Sequence, residues 1–139
     1  MVRIVVLNDN RKNNPQLENE HGLSLYIEVD GYKILLDAGQ TDIFKKNAKK
    51  LGVNLDDLDT IVLSHGHYDH GNGLKHIDKK IPLICCPGCD CYRVSKGTGN
   101  YGGLNQKIEE LSEKFDLIQT TEPYKITENI FFLGQIERK

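Results

Sequence analysis

A β-branched run, Thr60-Ile61-Val62-Leu63, delivers the chain straight into Ser64-His65-Gly66-His67-Tyr68-Asp69-His70-Gly71, and this junction limits the fold more than any other segment. Three histidines and one aspartate fall within six positions. Imidazole nitrogens and carboxylate oxygens are the groups that bind divalent metals. His65 and His67 stand two apart, so on an extended segment they point the same way and can grip one ion together. Asp69 and His70 follow as the chain begins to turn. A single tetrahedral ion rarely takes four ligands from one loop and leaves room for a substrate, so the pattern suits two adjacent ions. Such ions lower the pKa of bound water to roughly 7 and stabilise a developing oxyanion or leaving group, which points to hydrolysis or a closely related displacement. The competing reading is a polar surface loop in which Asp69 merely pairs with a histidine; the compact spacing after a strand, with Gly71 next, favours metal.

The flanking sequence places this loop in a layered α/β chain. Val2 to Leu7 reads as a buried strand ending in the turn Asn8-Asp9-Asn10, and Arg11 to Glu20 as a loop. Leu23 to Val29 and Tyr32 to Leu36 are strands joined by Asp30-Gly31, which fits the positive φ angles of a type I′ hairpin. Thr41 can cap a helix with apolar positions Ile43, Phe44, Ala48 and Leu51, ended by Gly52 in the left-handed conformation, with Lys45, Lys46, Lys49 and Lys50 facing solvent. Asp56-Asp57-Leu58-Asp59 is a polar turn before the strand Thr60 to Leu63. Pro82 to Cys86 reads as a further strand, and Ser95 to Gly103, with four glycines, as a mobile loop. Leu104, Ile108, Leu111 and Phe115 mark an amphipathic helix, and Asp116 to Gln119 and Asn129 to Leu133 are short strands.

At 139 residues, 38% hydrophobic and 27% charged, the chain has the size of one globular domain. Its 18 basic and 20 acidic residues are mixed, giving a net charge of -2; no basic stripe exists to gather phosphates, which argues against nucleic acid as a partner. The apolar start is too short for a secretory signal and no run could cross a bilayer, so the expected location is the cytoplasm, without membrane contact. Cys85, Cys86, Cys89 and Cys91 lie within seven positions, where a disulfide would close only a small loop; reduced thiols are expected. Cys86-Pro87-Gly88-Cys89 is half of a zinc motif, while Cys85 and Cys86 read equally well as small apolar strand residues. His76 reads as an ordinary exposed histidine on a helix.

Thr60 to Leu74, containing the H-x-H-x-D-H motif, resembles the signature of the metallo-β-lactamase superfamily, and Ile34-Leu35-Leu36-Asp37-Ala38-Gly39 resembles its D-x-G strand end. Glu20-His21-Gly22-Leu23-Ser24 and Phe132-Leu133-Gly134-Gln135-Ile136-Glu137-Arg138 resemble a subfamily of microbial metal-dependent hydrolases that includes an archaeal dihydropterin-linked synthase of methanopterin biosynthesis. The resemblance implies that His65 and His67 bind a first metal and Asp69 and His70 a second. Asp69 is also the candidate catalytic residue. Asp37 would orient a ligand by hydrogen bonding, or serve only as a turn residue before Gly39. His21 and the Asn8-Asp9-Asn10 turn match positions near the site, or are simply polar loop residues.

The family fold is a four-layer αββα sandwich, and the resemblance covers its N-terminal half: a mixed β-sheet with helices on one face. Residues 1–139 are therefore expected to form one partial domain, lacking the C-terminal ligands, a further His, a bridging Asp and a last His. Zinc, one or two ions, is the expected cofactor, with iron or manganese as alternatives. Two expectations follow: an N-terminal portion of a metal-dependent hydrolase acting on a small-molecule ester, phosphoester or similar bond, or a non-catalytic metal-binding or partner-binding half-domain. In either case a homodimer or a complementing C-terminal chain would cover the exposed sheet face. Substrate recognition would draw on the loops at Asn8 to Glu20 and Ser95 to Gly103.

Overall fold

The computed structural model describes residues 1–12 and 14–137. Asn13, inside the expected Arg11 to Glu20 loop, and Arg138, last of the segment beginning at Phe132, lie outside the described residues. Six strands form one sheet in sequential order: β1 (Val2–Asn8), β2 (Ser24–Val29), β3 (Tyr32–Leu36), β4 (Thr60–Val62), β5 (Pro82–Cys85) and β6 (Asp116–Gln119). The first three are antiparallel and β3 to β6 parallel, so the sheet is mixed as expected. Asp30 and Gly31 both take positive φ, 51° and 82°, and close the β2–β3 hairpin.

The parallel connections carry α1 (Ile43–Lys50), α2 (Tyr68–Gly71) and α3 (Ile108–Lys114). Registered positions Tyr26, Leu35, Ile61 and Leu83 share one face of the sheet and join Phe44, Ala48, Leu74, Leu111 and Phe115 in one buried core. The four lysines of α1 face outward, and Gly52 has φ 72°. Asp42 rather than Thr41 is the N-cap, although the Thr41 hydroxyl still accepts from Ile43 N at 3.4 Å. Asn47 is buried on the core side of α1; its amide donates to the Leu7 and Glu18 carbonyls and accepts from Glu18 N. This helix therefore pins the loop that follows β1.

Two further local expectations are corrected, and one strand is added. β1 is not a buried strand: it is an edge strand with Val2 61%, Ile4 59% and Val6 50% exposed. β-branched residues suit any pleated surface, so the run indicates a strand without saying that both faces are covered. Leu104 is buried but lies outside α3, which begins at Ile108. It packs over Gly71, where a Cβ would stand 2.3 Å from its Cδ2. The last strands form a separate hairpin of β7 (Tyr124–Thr127) and β8 (Ile130–Phe132), of which β7 carries no clear sequence signal.

The second face of the sheet is also apolar. Val6, Leu25, Leu36, Val62, Ile84 and Ile118 stand in one register row across all six strands. Ile34 and Ile84 are buried there yet stand outside the helix-side core. Among the described residues no helix is long and apolar enough to cross a membrane.

Candidate metal centre

The site forms where the parallel strands β3 and β4 end, the usual place for ligand-bearing loops in α/β sheets. Asp37 leaves β3 with φ 58°, a left-handed conformation that aspartate tolerates better than most side chains. Its backbone is held on both sides: Asp37 N donates to Val62 O at 2.9 Å and the Ser24 hydroxyl donates to Asp37 O at 2.9 Å. The carboxylate is fully buried and receives Ser64 N at 2.7 Å, Ser64 Oγ at 2.6 Å and His70 Nδ1 at 2.7 Å. Ser64 Oγ also lies 2.8 Å from His65 Nδ1.

A hydroxyl has one hydrogen. With that hydrogen given to Asp37, His65 Nδ1–H must donate to Ser64, and His70 Nδ1–H donates to Asp37. Both rings are thereby turned to present Nε2. One donor atom each from Asp37, His65 and His70 falls within 4.8 Å of the others. The His65 ring is 4.5 Å from His67 and 4.2 Å from His70, centroid to centroid. Asp69 Oδ2 sits 3.7 Å from His70 Nε2. His65 and His70 thus meet with Asp37, while His67 lies beside His65 and Asp69 beside His70, neither joining a group of three donor atoms that close among the described residues. Three short hydrogen bonds occupy the Asp37 carboxylate. His76 is apart from the cluster, at the end of the turn Asn72–His76.

Charge within the cluster is uneven. The hydrogen bond to Asp37 holds the His70 pKa above the usual histidine value, against an opposing burial effect. Burial, then the neighbouring His70 and His67, push His65 down. A dication suits this donor set: two imidazoles with directed Nε2 atoms, a third beside them, and a carboxylate at the edge.

The loop after β1 supplies what sequence reasoning undervalued. His21 Nε2 is 3.1 Å from Asp69 Oδ2, and Leu23 N donates to Asp69 O at 3.3 Å. Gly22, at φ 129°, is required here, since a Cβ would stand 1.9 Å from Asp69 O. Asn8 and Asn10 fix the segment by accepting from Glu20 N and Gly22 N, and the Glu20 carboxylate accepts from Gln40 N, Thr41 N and Thr41 Oγ1. The amide-rich turn at Asn8-Asp9-Asn10 was the available signal.

The cysteines behave differently. All four are free; Cys85 and Cys89 are buried with sulfurs 3.5 Å apart, while Cys91 is exposed. Their contact, then burial, raises the Cys85 thiol, and the same contact lowers Cys89 against an opposing effect of burial. No third metal-binding side chain joins them among the described residues.

Residues 18–84 match the metallo-beta-lactamase superfamily. An uncharacterized protein of Methanocaldococcus jannaschii is 37% identical over 100% of this chain and 54% of its own length. The 7,8-dihydropterin-6-methyl-4-(beta-D-ribofuranosyl)-aminobenzene-5'-phosphate synthase of the same organism is 35% identical over 86% of this chain and 45% of its own. Tm1679, described as a metal-dependent hydrolase of the beta-lactamase superfamily, superposes with a TM-score of 0.79 at 31% identity, over 96% of this chain and 48% of that one. The chain spans about half the length of the curated relatives it matches.

Proposed function

We propose a function from one premise: this chain belongs to the metallo-β-lactamase superfamily, and its fold is the mixed sheet with helices on one face found in that family. The family implies a divalent metal, and the residues at the ends of β3 and β4 suit one. Our reading is a metal-dependent hydrolase of ester, phosphoester or similar bonds. The observation that carries it is the Asp37–Ser64–His65 and Asp37–His70 network, which engages Nδ1 of two adjacent rings, 4.2 Å apart between centroids, and leaves their Nε2 atoms to a ligand. In this reading His65, His67, Asp69 and His70 hold one or two ions, zinc first and iron or manganese as alternatives, and Asp37 orients His70. When bound, the ion supplies a nucleophilic water at neutral pH and stabilises developing negative charge.

The remaining work belongs to the chain itself. Asp37 fixes the tautomer and direction of His70. Ser64 relays that alignment to His65. Asp69 is the candidate proton acceptor, and His21 holds its Oδ2 in place. Small-molecule recognition falls to the two loops named from sequence, each of which borders a cavity. One of about 500 Å³ lies between Gln40, Tyr68 and Asn72 and the loop residues Ser95, Asn100 and Tyr101. The other, of about 310 Å³, lies against Asn8, Asp9 and Arg11. Both fall in the size range of small-ligand sites.

The test is metal content per chain together with phosphodiesterase and lactonase assays. Bound metal and turnover, both lost in His67→Ala, support the enzyme. Trace metal and no turnover would sink it as a catalyst by itself. The second reading, a non-catalytic metal-binding or partner-binding half-domain within residues 1–139, is favoured by the apolar second sheet face, where Val2, Ile4 and Val6 are exposed. We propose that a C-terminal region or a second copy covers that face. Solution mass, compared with that of an Ile4→Lys variant, separates these arrangements. A cytoplasmic setting and the absence of a nucleic-acid or membrane partner belong to the same proposal.

A further inference from the structure

Residues 86–93 fold back beneath the histidine segment, and Arg93 is the side chain that ties the two together. Its Nη1 lies 3.1 Å from Cys91 O, 3.2 Å from Cys89 O and 3.4 Å from Gly66 O, while Nη2 lies 3.2 Å from Gly88 O. Nη1 carries two hydrogens, so three carbonyls share them. A guanidinium suits this arrangement because its planar fork presents several donors at fixed angles, which a lysine ammonium cannot do. Gly66, between His65 and His67, is buried against this loop, and a Cβ there would stand 1.6 Å from Cys89 O. The two backbones therefore touch with no side chain between them. Their carbonyl dipoles converge on the Arg93 charge.

A second link also runs through Arg93. Its own carbonyl accepts from Gly102 N at 2.8 Å, and Gly102 O accepts from Tyr68 N at 3.0 Å. The segment His65-Gly66-His67-Tyr68 is thus anchored at Gly66 by the guanidinium and at Tyr68 by the backbone route through Gly102. Asp37 and Ser64 orient the rings of His70 and His65 from one side. Nothing on that side reaches His67, which makes no side-chain hydrogen bond among the described residues.

We propose that Arg93 is a positioning residue of the metal centre, setting the spacing of His65 and His67 by clamping Gly66 onto the Gly88–Cys91 turn. This inference rests on the reading of His65 and His67 as ligands. Its test is Co²⁺ titration of the protein, Arg93→Met and Arg93→Lys, followed by visible absorption. Thermal melting in chelator and amide exchange at Tyr68 are measured alongside. Arg93→Met should bind Co²⁺ about tenfold more weakly or worse, as when other supports of a ligand are removed. Arg93→Lys should fall between it and the parent, and in both the Tyr68 amide should exchange faster. A purely structural role would lower the melting temperature and leave Co²⁺ affinity of the folded protein unchanged, and that result overturns the proposal. If Arg93→Met does not fold, unchanged affinity in Arg93→Lys with parental Tyr68 exchange overturns it equally. Failure of the parent to take up Co²⁺ removes the metal reading itself, and this inference with it.

Discussion

Strands β4 and β5 lie side by side and parallel, and each ends in a loop crowded with metal-binding side chains, yet only the first loop gathers them. After β4, His65 and His70 meet Asp37, with His67 and Asp69 beside them. After β5, Cys85 and Cys89 turn into the core, Cys91 turns out to solvent, and the Asp90 carboxylate accepts from Ile108 N at the start of α3. The difference is the neighbour. The β4 loop faces Asp37, a buried carboxylate from the adjacent strand that fixes ring directions. The β5 loop faces the core and α3, so its polar groups are used for capping and its thiols for packing. Density of donors does not make a site; an orienting group from elsewhere in the chain does.

Asp37→Asn should break this contrast most. Asparagine accepts the left-handed backbone, but its one oxygen cannot replace both carboxylate oxygens, so it sets an NH2 group either against Ser64 N or against Ser64 Oγ and His70 Nδ1. Zn²⁺ affinity by chelator competition should fall about 10- to 100-fold, with a parental β-sheet signature in circular dichroism. Retained affinity would mean that Asp37 is only a turn residue.

The pH dependence sharpens the contrast at the level of single rings. His70 is raised, so its contribution to metal-free stability is present below its unfolded pKa of about 6.5 and is lost as pH climbs through the folded value. His65 is lowered, so the unfolded chain takes up the proton first and stability falls as pH drops below about 6.5. Metal must displace the His70 proton, so affinity should rise by up to about tenfold per pH unit until His70 is deprotonated. Proton NMR of the metal-free protein should find His70 titrating above His65. The reverse order would refute the network as drawn.

Cys91→Ser should do least. The thiol is exposed, so stability should move by no more than about 0.5 kcal/mol in urea unfolding. Zinc content should not change; a loss of one equivalent would show that the β5 loop holds an ion after all.

The histidine cluster was readable because its donors are close in sequence and follow a strand. Asp30-Gly31 was readable because a two-residue turn carries its own stereochemistry. What escaped was non-local. The Arg93 clamp spans 27 residues to Gly66, and Asp37 lies 33 residues from His70; no periodicity encodes such contacts. Asp37 fits two roles in the sequence because its saturation by Ser64 and His70 is a fact of packing. Leu104 extends the helical pattern of Ile108, Leu111 and Phe115 for a different reason, its contact with Gly71.

The exposed position of β1 has a practical consequence. Seven residues long, it pairs among the described residues only with β2, and its register slips near Asn8. Such an edge is a template for strand addition by another molecule, with Arg3 the one charge along it to discourage the match. Whatever seals the apolar face must therefore also shield this border. A preparation with that border bare should show light scattering that grows with protein concentration and subsides when Val2 or Ile4 is replaced by lysine.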